Sequence, residues 1–98
     1  MTKFLLVYSG GGDPPATPEE QKEVMDAWMG WFGGLGDAVV DIGNPVGPAG
    51  SLGAAGSSGL TGYSLLTADS HEDALGKASG CPILASGGGI EVYEAFEM

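Results

Sequence analysis

The sequence predicts an α+β domain of the order β-α-β-β-α-β, a ferredoxin-like unit in which a four-stranded antiparallel sheet carries two helices on one face. Three observations lead there. Two stretches open with helix-capping signals and continue at helical spacing. Four short runs read as strands. The runs and the helices fall in the order that this unit requires. With 98 residues, one domain spanning 1–98 is expected, with a modest core.

The first strand is Lys3–Tyr8, KFLLVY. It is apolar on both faces and bounded by Ser9-Gly10-Gly11-Gly12, which places it inside the sheet rather than at an edge. A Pro-containing loop, Asp13–Ala16, follows. Thr17 then caps a helix over Pro18–Leu35: Pro18 sits at N1, where its missing N–H costs nothing, and Glu20 stands in the capping-box position. Val24, Ala27, Trp28, Trp31 and Leu35 form its stripe, widened by Met25, Met29 and Phe32. Gly30 and Gly33 each cost about 1 kcal/mol against alanine, which a close-approaching backbone would offset. Gly34 or Gly36 ends the helix.

Ala38–Ile42 reads as the second strand, running into the turn Gly43-Asn44-Pro45. Between Gly47 and Gly62 glycine recurs at every third position, which reads as a mobile hairpin loop and not as collagen, because the repeat is too short and poor in proline. Gly62–Ala68 is the third strand. Ser70 caps a second helix over Ser70–Ser79, with Asp73 at N3 and Gly80 as its stop; Cys81-Pro82 lies just beyond. Ile90–Phe96, IEVYEAF, alternates as the last strand. The free face of the sheet then carries apolar residues, and a second copy of the chain is the expected cover.

Net charge is −10, with thirteen acids against three lysines and no arginine, so nucleic acid and anionic membrane surfaces are not expected partners. Nothing approaches a membrane span, and Phe4–Tyr8 is too short for a signal-peptide core. The single cysteine, Cys81, is compatible with a cytoplasmic protein. No cofactor or metal is expected. Gly10-Gly11-Gly12 lacks the later glycine of a dinucleotide fingerprint, and Asp69, His71, Glu72 and Asp73 read as acids at a helix start rather than as ligands.

No nucleophile–base pair is readable. In the second strand Asp41 interrupts an apolar run. Val40 and Ile42 are expected to face a core and Asp41 the opposite side. Asp41 and Asn44 are therefore the polar candidates for one end of an apolar pocket, with Trp28, Tyr63 and Tyr93 as candidate walls.

In the stretches KFLLVY, TPEEQKEVMDAWMGWFGGLGDAVVDIGNPVG, LTGYSLLTADSHEDALGKASGCP and GGGIEVYEAFEM, in that order and spacing, the chain resembles the YCII-related family of the dimeric α+β-barrel superfamily over nearly its whole length. The resemblance implies a homodimer in which one protomer's sheet packs on the other's as a barrel. Some relatives hold a His–Asp pair in a cleft, and that branch includes a ring dehydrochlorinase. The histidine here, His71, lies on the second helix and does not match. The Asp-Gly-Pro-Phe motif of another branch is replaced by SSGLTG. Three functions stay open: a dimer that binds a small, mostly apolar molecule or serves as an accessory module, a small-molecule enzyme of lyase or isomerase type using acid–base chemistry, and a structural interaction protein.

Overall fold

The computed structural model describes residues 2–10, 17–47, 52–53 and 59–96. Its strands are β1 (Thr2–Ser9), β2 (Val39–Asp41), β3 (Leu60–Ala68) and β4 (Gly89–Ala95); its helices are α1 (Pro18–Leu35), α2 (His71–Ala78) and α3 (Pro82–Ala85). The sheet is antiparallel with order β2-β3-β1-β4, so β1 is internal and β2 lies at an edge. This is the expected ferredoxin-like α+β arrangement. Most of the triplet-glycine loop lies outside the described residues.

Helices α1 and α2 start where their caps dictate. Thr17 Oγ1 accepts the Glu20 N–H at 3.1 Å, and Ser70 Oγ accepts the Asp73 N–H at 3.0 Å. Gly36, at φ 58°, ends α1 in a conformation that other residues rarely adopt. Helix α3 was not expected. Pro82 at its first position pre-sets the backbone angle, but four residues are too few for a periodic pattern to show.

One face of the sheet bears Phe4, Leu6, Tyr8, Leu66 and Ala68, packed under Ala74 and Ala78 of α2 and Ile83 of α3. Cys81 joins this core as a buried free thiol. Trp28, Trp31 and Leu35 of α1 lean on the same cluster. The opposite face carries Leu5, Val7, Tyr63, Leu65 and Tyr93, by the alternation of the strands.

Two expectations are corrected. Among the described residues, the helix's own backbone and the adjacent residues aside, no atom lies within 4 Å of a side chain added at Gly30 or Gly33, so no other described backbone approaches α1 there. In β2, Val39 pairs with Leu66 and Asp41 with Leu65, a bulge that spends two residues against one. The bulge breaks the alternation: Val39 packs on the core, while Val40 and Ile42 are 47% and 49% exposed. The strand is also shorter than expected, because Gly36–Ala38 forms a 3-10 turn.

Candidate functional site

A cleft of about 410 Å³ opens between α1 and the β2–β3 end of the sheet. Its helical wall is Val24, Met25, Trp28, Met29 and Phe32; the facing wall is 42–45 with 61–64, and Tyr8 and Ile83 line the remainder. The helix is fastened near its C-terminal end, where Trp31 Nε1 donates to Lys77 O at 3.1 Å across to α2. Ring contacts hold the same region: Trp28 stands edge-on to Tyr8 at 5.1 Å, and Trp31 lies 4.8 Å from Phe32. Toward its N-terminus the stripe is left open, and Met25 is 58% exposed. Burying that stripe would be favourable, at roughly 25 cal/mol per Å² of apolar surface.

The facing wall is shaped by a local turn. The Asp41 carboxylate accepts the Gly43 N–H at 2.8 Å, bending the chain two residues on. Gly43 takes φ 78°, and a side chain there would meet Tyr63 O at 1.6 Å. Asn44 O then accepts the Tyr63 N–H, and Val46 N–H donates to Thr61 O, which zips the turn onto β3.

One polar chain crosses the cleft wall. Tyr8 Oη donates to Ser64 Oγ at 2.7 Å, and Ser64 Oγ donates to Ile42 O at 2.7 Å. Burial pushes the Tyr8 phenol up to about 12, although its bond to Ser64 opposes this and Cys81 adds to it. Burial likewise raises the Cys81 thiol to about 11. Both groups are therefore protonated at neutral pH, and Cys81 is no nucleophile there.

These two shifts set an alkaline limit. The folded state holds both protons more tightly than the unfolded chain, whose ordinary values are 9.0 for the thiol and 10.0 for the phenol. Their contribution is complete below those values and is lost as pH rises through about 11 and about 12. Urea midpoints are expected to fall steadily above pH 9, and Tyr8→Phe with Cys81→Ala to flatten that fall. An unchanged slope in the double variant would contradict the assignment.

Of the residues singled out in the sequence, Trp28, Asn44 and Tyr63 line the cleft. Tyr63 does so from a strand position whose side chain turns to the other sheet face, where its hydroxyl accepts from Asn44 Nδ2 at 3.2 Å. Asp41 is not in the lining and acts on its wall through the turn. Tyr93 lies on the helix-free face, opposite Leu5, and its hydroxyl donates to Glu91 at 2.6 Å. Sequence reasoning missed Tyr8 and Ser64. Ser64 left a usable signal, a hydroxyl within the apolar run Tyr63–Leu66, of the kind that drew attention to Asp41.

The acidic cluster at the start of α2 serves the helix. Asp73 Oδ2 accepts from Lys77 Nζ at 2.7 Å and from the Asp69 N–H at 3.0 Å, which hold its carboxyl below the usual range. His71 Nε2 bonds Val92 O at 3.0 Å beside Phe4. Phe4 is four residues along β1 from Tyr8, roughly 13 Å by strand geometry, so His71 sits at the other end of the sheet from the cleft. Among the described residues no cluster of His, Cys, Asp and Glu is arranged to hold a metal, and no helix is long and apolar enough to cross a membrane.

No family model matches the chain, and no curated protein does. Among solved structures the chain is similar to 5-chloro-2-hydroxyhydroquinone dehydrochlorinase (TftG) from Burkholderia phenoliruptrix AC1100, in complex with 2,5-dihydroxybenzoquinone. The match has a TM-score of 0.61 at 16% identity and covers 98% of this chain and 95% of that one. At that identity the likeness is one of fold.

Proposed function

We propose that this chain is a single YCII-like domain of the dimeric α+β-barrel superfamily that binds a small, mostly apolar molecule in the cleft beneath α1. The observation that carries the reading is the cleft itself: a concave, aromatic-walled space of about 410 Å³ with one internal polar chain, the usual composition of a small-molecule site. Trp28 is its principal contact, Asn44 and Tyr63 its rim, and Asp41 shapes it through the turn. Tyr93 belongs instead to the face on which a second copy packs. The domain works without a cofactor, as a homodimer in the cytoplasm.

A second reading, a lyase or isomerase of acid–base type, draws its support from the fold it shares with a dehydrochlorinase. The lining favours the first reading, because among the described residues it includes no histidine and no carboxylate, and the Tyr8 phenol is held protonated.

A thermal-shift screen of compact uncharged aromatic compounds tests the proposal. A ligand at ten times its Kd stabilises by about 1.4 kcal/mol, expected as a rise in Tm of roughly 5–10 °C. Trp28→Ala is expected to abolish the rise. No shift from any compound, or a shift that survives in Trp28→Ala, defeats the proposal.

A further inference from the structure

Resting on the reading of the cleft as a small-molecule site, we infer that the indole N–H of Trp28 is the anchor of that site and that it selects an uncharged apolar ligand bearing a carbonyl oxygen. The inference follows from accounting for the donors in the lining. Tyr8 O–H is spent on Ser64, and Ser64 O–H on Ile42 O. The Gly43 N–H is spent on Asp41 and the Tyr63 N–H on Asn44 O. Asn44 Nδ2 gives one of its two hydrogens to the Tyr63 hydroxyl, and its second hydrogen and the Tyr63 O–H lie with that bond at the exposed rim, away from the helical wall. Thr61 is exposed and solvated at the rim. Trp31, the other tryptophan, donates to Lys77 O.

Trp28 Nε1 has no hydrogen-bond partner among the described residues. No side-chain nitrogen or oxygen there is both buried and unpartnered, so this N–H is reachable from outside the protein. Trp28 itself is half-buried in the cleft wall, with its ring fixed by Tyr8, Trp31 and Phe32. An indole N–H donates and never accepts, so its partner is an acceptor. An anionic acceptor does not fit. The described lining holds no Lys, Arg or His, the chain carries a net charge of −10, and an anion moved out of water without a counter-charge is strongly penalised. A neutral carbonyl gains the hydrogen bond without that penalty, and its apolar body covers the open stripe of α1.

Three probes of one shape separate the possibilities: acetylnaphthalene, ethylnaphthalene and naphthoate. Binding is followed by the two indole N–H resonances of nitrogen-15-labelled protein, with Trp31 as the internal reference. The ketone is expected to bind about five-fold tighter than the hydrocarbon, the gain of one net hydrogen bond, and to move the Trp28 resonance downfield while Trp31 stays. Naphthoate is expected not to bind. Trp28→Phe keeps the ring and is expected to erase the ketone's advantage. Equal binding of ketone and hydrocarbon, binding of naphthoate, or an advantage that persists in Trp28→Phe overturns the inference and leaves the apolar cleft standing. Failure of all three probes to bind overturns both.

Discussion

Gly43→Ala is expected to be the most damaging alanine substitution among the described glycines. Two penalties combine at one position. The backbone stands at φ 78°, where a residue with a side chain is strained by about 1–3 kcal/mol. The new carbon would also lie 1.6 Å from Tyr63 O and 2.6 Å from Tyr63 C, which are main-chain atoms of β3 and cannot rotate away. The turn must therefore lift off the strand, at a cost comparable to overpacking a core, about 1–3 kcal/mol more. A loss of at least about 3 kcal/mol in urea denaturation is expected. Gly30→Ala should act in the opposite direction. Gly30 lies inside α1 with open space around it, and alanine there is worth roughly 1 kcal/mol of helix stability. A loss below about 1 kcal/mol for Gly43→Ala would show that the turn is not pinned as the geometry states.

That turn also shows where the sequence can be read and where it cannot. The start of helix α1 was legible to the residue, because Thr17 and Pro18 set it locally, and its end was narrowed to Gly34 or Gly36, of which Gly36 is the stop. The central position of β1 was legible from apolar residues on both faces. The bulge in β2 was not, because it depends on how Val39 and Asp41 meet Leu66 and Leu65 of a different strand. Asp41 stood out as a charge in an apolar run. Its observed bond to Gly43, two residues on, follows from that spacing alone, since aspartate commonly bonds its own backbone at this distance. Within the cleft, Trp28 was legible as part of a helical stripe. The bond between Tyr8 and Ser64 joins residues 56 positions apart and has no local trace. The unspent indole of Trp28 is further from view still, since an unused donor is visible only when every neighbouring donor has been accounted for.

Leu5→Glu is expected to convert the proposed dimer into a monomer. Leu5 lies at the centre of the helix-free face, paired in register with Leu65 on one side and Tyr93 on the other. The next row is Tyr63, Val7 and Glu91. Val7 is already buried within the protomer, so the apolar surface this face offers to water, of the kind that marks an interaction surface, is that of half-buried Leu5, Tyr63 and Leu65 with exposed Tyr93. A two-fold dimer brings the same face from both copies together, so one substitution acts twice. Each buried, unpaired glutamate costs several kcal/mol. At about 3 kcal/mol per copy, the dissociation constant rises by roughly 10⁴-fold. The protomer itself should survive, because Leu5 is only half-buried within it and is not part of the core beneath the helices. Leu75→Glu on the outer side of α2 is the matched control, expected to leave the mass unchanged. Light scattering at micromolar concentration should give twice the 9.8 kDa protomer mass for the wild type and the control, and the protomer mass for Leu5→Glu. Association should also tighten with salt, since each copy carries a net charge of −10 and screening relieves their repulsion. A monomeric wild type at both low and physiological salt, or a Leu5→Glu protein that stays dimeric, would mean that the sheets do not meet through this face.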